Sequence, residues 1–221
     1  MKRLEKPVPR AWSAWLMALA LGSTTVACVP VPLVIGAAVG TGVVVALDRR
    51  TTGIQVEDEG IELKAGNRIN EGLGSRVRVS VTSFNRQVLL TGEVASEADR
   101  QKVQQIVSGV ENVRSVVNEL AILNSPSFTQ RSSDALVTGK VKAGIVDAKE
   151  LSSHAFKVVT ERGTTYLMGR VTQREADRAT EIARTTSGVQ RVVRIFEIIS
   201  EEELRRMQFA PASDATPTRL N

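Results

Sequence analysis

Apolar residues alternate with polar ones from Val79 to Val94 and again from Phe156 to Val171, the period-two pattern of a half-buried strand. The stretches align at an offset of 77, which places Val81, Leu90, Gly92 and Val94 on Val158, Leu167, Gly169 and Val171. Each is interrupted once, at Phe84-Asn85-Arg86 and at Glu161-Arg162-Gly163, where a hairpin turn belongs. The period then changes. Val103, Ile106, Val107 and Val110 recur at helical spacing, and Ala179, Ile182, Ala183 and Thr186 repeat it, so each set draws one stripe on a helix. Ser96 and Glu97 suit the start of the first helix, and the second begins near Thr172. Asn112 and Gly188 tolerate the left-handed turn that ends a helix. A closing strand follows in each copy, to about Ile122 and Ile199, now at an offset of 76. Ahead of each hairpin lies a further helical run. Ile61 to Leu73 serves the first copy; Ser132 to Leu151 serves the second, with Val137, Val141, Gly144, Ile145 and Ala148 on one face.

The repeated unit is therefore α-β-β-α-β, an α+β fold of two layers in which helices cover one face of a three-stranded sheet. The expected domains are residues 54–123 and 132–200, joined by a linker at 124–131. Residues 201–221 form a C-terminal extension ending in a polar tail.

The N-terminus has the layout of an export signal. Four basic residues fall within residues 1–10, an apolar run covers residues 11–22, and small residues lead to Thr25-Val26-Ala27-Cys28. Cys28 directly after the small residues resembles the lipobox of a bacterial lipoprotein, although Thr25 stands where Leu is usual. Residues 1–27 are then the signal peptide and Cys28 the lipidation site. More than one acyl chain on it makes membrane attachment stable, at ~0.8 kcal/mol per buried methylene. Residues 28–53 are the expected lipidated tether. Within it, residues 33–47 are apolar but short for a spanning helix, so a membrane-hugging tether and a short membrane segment both remain open.

Charge and composition narrow the function. The net charge is +5, but residues 54–124 sum to −2 and residues 130–209 to +3. That is too thin a basic excess for a nucleic-acid partner, and it suits anionic lipid headgroups. One Cys and one His make no internal disulfide, no zinc site and no catalytic pair. Glu97, Asp99, Glu175 and Asp177 sit at helix starts, where they suit the helix dipole and are expected to be exposed. Gly92 and Gly169 lack the companions of a phosphate loop and are expected to allow close packing of strand and helix. No enzyme activity, cofactor or metal is expected.

Val88-Leu89-Leu90-Thr91-Gly92-Glu93-Val94, a helix, and Asn112-Val113 through Asn118-Glu119-Leu120 together resemble the BON domain. Thr165 to Val171 and Gly188 to Phe196 repeat the pattern, with Thr165 and Arg194 at the two departures. Two such domains behind a lipobox, with Asp48-Arg49-Arg50-Thr51-Thr52-Gly53-Ile54-Gln55-Val56-Glu57-Asp58 between anchor and first domain, resemble the DolP-type outer-membrane lipoproteins. The resemblance implies a lipid-anchored protein on the periplasmic face of the outer membrane that supports envelope integrity. It also implies binding of an anionic phospholipid such as phosphatidylglycerol near the first helix of the second domain. There Arg131, Leu136, Lys140 and Lys142 are the candidate contacts, Leu136 standing where the family often has an aromatic. The alternative is a protein-interaction scaffold for envelope-assembly or division factors. Its lipid contact would be confined to the anchor, and the outer edge of the third strand would be free to take a partner strand.

Overall fold

The computed structural model describes residues 48–123 and 128–209. The first repeat contains α1 (Thr52–Leu73), β1 (Val77–Phe84), β2 (Gln87–Val94), α2 (Glu97–Ser108), β3 (Ser115–Asn118) and the short β4 (Ala121–Ile122). The second contains α3 (Phe128–Asp147), β5 (Phe156–Glu161), β6 (Thr164–Val171), α4 (Gln173–Thr185) and β7 (Arg191–Ile198), followed by α5 (Glu201–Phe209). The export signal, Cys28, the apolar run at 33–47 and the tail from residue 210 lie outside the described residues. Among the described residues no helix is long and apolar enough to cross a membrane.

Each sheet has the hairpin antiparallel and the closing strand parallel to the middle strand, in the orders β1-β2-β3 and β5-β6-β7. Ile61, Ala65, Ile69 and Leu73 of α1 and Val103 and Val107 of α2 close on Val88, Leu90 and Val94 of β2. In the second repeat Val137, Val141 and Ile145 of α3 and Ala179 and Ala183 of α4 close on Val158 and Leu167. Leu90 and Leu167, paired by the repeat, are both fully buried.

Several boundaries differ from the sequence expectation. α1 begins at Thr52, inside the expected tether, because the Thr51 side chain accepts a hydrogen bond from Ile54 N and caps a turn that carries little of the apolar stripe. Residues 128–131 of the expected linker already belong to α3. That helix stops at Asp147, and Leu151 is buried in the turn beyond it. The first closing strand is broken between β3 and β4. Asn118 turns its carboxamide back on Leu120 N, 3.2 Å away, and on the carbonyl of Arg100.

The hairpins turn on two residues with positive φ, Asn85 and Arg86 in one, Arg162 and Gly163 in the other. Both turns are held by a buried aspartate of the preceding helix. Asp58 accepts from Asn85 N at 2.8 Å, Arg86 N at 2.7 Å and Ser83 Oγ at 2.6 Å. Asp134 accepts from Arg162 N at 2.8 Å and Gly163 N at 2.9 Å.

Gly92 and Gly169 do admit a close approach, by the backbone of β1 at Gly92 and by the short 3-10 turn Ser153–Ala155 that leads into β5 at Gly169, and not by α2 or α4. A Cβ on Gly92, at φ +115°, would lie 2.1 Å from the carbonyl oxygen of Arg78, and one on Gly169 would lie 2.5 Å from that of Ala155. Gly92→Ala is expected to lower stability by about 1–3 kcal/mol, as overpacking does. Gly66→Ala, on the outside of α1 with nothing within 4 Å, is expected to raise it by ~0.4–1 kcal/mol. Denaturant midpoints of the two variants check this pair, and equal shifts would contradict it.

The sheet faces that the helices leave bare meet each other. Phe84 and Leu89 of the first repeat and Tyr166, Met168 and Ile195 of the second form one cluster, with Val117, Val159 and Val193 against it. The layers therefore run helices, sheet, sheet, helices, which puts α1 and α3 on opposite outer surfaces. Ion pairs button both seams. Along β1 and β5, Arg78 binds Glu161 at 2.7 Å, and Lys157 binds Glu62 at 2.8 Å while Glu62 also accepts from Ser83 N. Arg114 and Glu119, which bracket β3, pair with Glu197 and Arg191 at the two ends of β7. Glu93 is buried between Arg78 and Arg162. Ion pairs thus bridge β3 and β7, the third strands of the two sheets, at both ends.

Candidate functional site

α3 buries Val137, Val141, Ile145 and, just past its end, Ala148. Its remaining circumference is open, and the four candidate residues all lie there: Arg131, Leu136, Lys140 and Lys142 are exposed. They do not converge on one point. At about 100° per residue, Lys140 and Lys142 project on nearly opposite flanks of the helix. Between those flanks, Ala135, Leu136, Gly139, Ala143 and Val146 occupy about 100° of surface with no charged side chain among them. Leu136 is 68% exposed and Val146 is 62% exposed. Arg131 and Lys142 border this crest on one side, and Lys140 and Asp147 on the other. The arrangement is an apolar crest with cations at both margins, which lets long basic side chains reach headgroups while the crest meets the lipid.

Among the described residues, Arg131, Lys140 and Lys142 have neither ion pair nor hydrogen-bond partner on their charged groups. The arginines of the strands, by contrast, are committed to carboxylates. At the foot of Lys142 a recess of about 130 Å³ opens between α3 and β5, lined by Ile145, Val146, Ser153, Phe156 and Val158. The matching recess of the first repeat is lined by Gly66, Asn67 and Asn70 as well as Ile69, Gly74, Val77 and Val79, and is polar. The outer side of α1 also carries Glu59 where α3 has Ala135. The sequence reading missed Val146. Its signal was an apolar residue ten positions beyond Leu136 and off the buried stripe.

The helix-start acids divide. Glu97 and Asp177 are exposed as expected, but Glu175 is buried. Its carboxylate accepts from Thr172 N at 2.9 Å in a capping box and is held by both terminal nitrogens of Arg49, at 2.7 and 2.8 Å. Burial raises its pKa, but the Arg49 guanidinium and Thr172 outweigh that and hold it below the usual carboxylate value. Tyr166, in the inter-sheet cluster, is pushed up to about 12 by burial and by Glu119. Among the described residues no group of His, Cys, Asp or Glu could hold a metal ion.

The model of the BON domain family matches residues 57–124 and 133–199. The outer membrane lipoprotein DolP of Haemophilus influenzae is 35% identical over 170 residues, 75% of this chain and 88% of that one. The 21 kDa hemolysin of Actinobacillus pleuropneumoniae is 28% identical over 69% of this chain and 80% of its own length. The osmotically-inducible protein Y of Escherichia coli is 31% identical over 52% of this chain and 58% of its own length.

Proposed function

The chain belongs to the BON domain family and is an outer-membrane lipoprotein, and from that premise we propose that it binds anionic phospholipid through the outer face of α3 and so supports envelope integrity. Acylation of Cys28 holds it to the periplasmic face of the membrane, and α3 supplies a second contact. The observation that carries this reading is the uncharged crest from Ala135 to Val146 between unpaired cations. A single apolar patch or a single basic patch would fit many partners. The two together at helical spacing fit a surface that is apolar inside and anionic at its margin.

The test keeps the two repeats together, because separating them would bare Phe84, Leu89, Tyr166 and Met168 and create non-specific lipid binding. Unlipidated residues 48–209 should sediment with vesicles containing phosphatidylglycerol and not with phosphatidylcholine vesicles, and added salt should weaken the association. Each cation near the surface contributes ~1 kcal/mol, so Lys140→Glu with Lys142→Glu should weaken binding by about 30-fold or more. Binding that ignores both salt and the double change would overturn this reading. Absence of binding would leave the scaffold reading, for which Val56 and Leu63, exposed on the opposite face, offer the apolar contact.

A further inference from the structure

The stretch Asp48-Arg49-Arg50 takes no part in the α3 face, yet it makes the longest-range polar contacts of the described residues. Arg49 has a side chain only 7% exposed and grips the 3% exposed carboxylate of Glu175 with two parallel hydrogen bonds. It also donates to the carbonyl oxygen of Arg170 at the end of β6, 2.9 Å away. Arg50 turns to the first repeat. It donates to Asp58 at 2.7 Å and lies with its guanidinium 4.1 Å from the centre of the Phe84 ring. Two consecutive side chains thus hold the two repeats, one each. The residues they reach belong to the inter-sheet contact. Phe84 is part of the shared cluster, and Arg170 pairs with Glu197, which binds Asn85 and Arg114 of the first repeat.

A segment that merely led into α1 would need no contact with the second repeat. Burying a guanidinium and a carboxylate is costly unless each finds its full set of partners. Arg49 and Glu175 find theirs in each other, in the Arg170 carbonyl and in Thr172 N, and Arg49 reaches them only while the second repeat lies against the start of the first. We propose that Asp48-Arg49-Arg50 is a clasp that keeps the two sheets closed on each other, so that the chain arriving from the membrane side is latched to both repeats before the first one begins. Release of Arg49 frees the second repeat to swing away, and that motion bares the apolar sheet faces.

Hydrogen exchange on the full chain, followed peptide by peptide, tests this. Arg49→Ala should raise exchange at least tenfold in the 84–89 and 164–170 segments, whereas the α1 and α3 cores stay protected. Thr172→Ala, which removes the α4 cap but leaves the clasp, should affect only the first turn of α4. Glu175→Gln keeps an acceptor for the cap but loses the ionic grip, and should open the same interface segments as Arg49→Ala. It covers the case in which Arg49→Ala fails to fold. Faster exchange confined to α4, or interface exchange unchanged in Glu175→Gln, would overturn the clasp and leave Arg49 as a helix cap.

Discussion

Replacing Asp58 by Ala should cost about 3–5 kcal/mol, the usual loss when one member of a buried, hydrogen-bonded ion pair is removed. Asp58 is 2% exposed and serves Ser83 Oγ, Asn85 N, Arg86 N and Arg50 at once. Without it, two main-chain donors at positive φ and the buried Ser83 hydroxyl lose their acceptor together, and the Arg50 guanidinium keeps only Asp48. Against a typical domain stability of ~5–15 kcal/mol, that brings the variant near the edge of folding. Asp134→Ala should cost less, about 1–3 kcal/mol, because among the described residues it has no arginine partner and loses neutral hydrogen bonds, two from the turn and one from Gln130 Nε2.

Acid should expose the same group. Burial raises the pKa of Asp58, but hydrogen bonds from Ser83, Arg86, Arg50 and Asn85 outweigh it and hold the carboxyl below its ordinary value. A lowered pKa in the folded state gives stability that is present above the unfolded value, about 3.9 for Asp, and is lost as pH falls through the folded one. Glu175 acts in the same direction. Wild-type stability should stay level from pH 7 to about 5 and fall below about 4, and Asp58→Ala should fall less steeply. Urea midpoints across that range measure it. An unchanged acid slope together with a loss under about 1 kcal/mol would remove Asp58 from this role.

What the sequence made legible was periodicity. Alternation located both hairpins, and the helical stripes located Val103, Val107, Val137, Val141 and Ile145 in the cores. A lone polar residue that holds a turn more than twenty positions away leaves no such mark, so Asp58 and Asp134 passed unnoticed. Their one signal was their spacing of 76, the offset of the closing strands. The inter-sheet contact left a fainter trace. Val88, Leu89 and Leu90 are consecutive and apolar, which a strand with one wet face does not need. Leu89 is fully buried because the second sheet covers it. Glu175 was misread because a helix-start acid is ordinarily solvated, and Arg49 lies 126 residues away. The lipid-face candidates Arg131, Leu136, Lys140 and Lys142 all lie at exposed positions. Their division between two flanks follows from helix geometry once the buried stripe fixes the rotation of α3.

The largest effect on function is expected at the crest of α3. Leu136→Asp with Val146→Asp places two charges where apolar contact is proposed. It also reverses the local field between Lys140 and Lys142, so it should abolish vesicle binding while leaving the core untouched, since both side chains are more than 60% exposed. The most direct measurement uses the absence of native tryptophan beyond Trp15. In an unlipidated chain begun at residue 28, a single Leu136→Trp probe reports the environment of the crest. A Leu63→Trp probe reports α1, on the opposite outer surface. Phosphatidylglycerol vesicles should shift the emission of the probe at 136 to shorter wavelength and leave that at 63 unchanged, with no shift at either from phosphatidylcholine. No shift at 136, or an equal shift at 63, would contradict a lipid-binding face on α3.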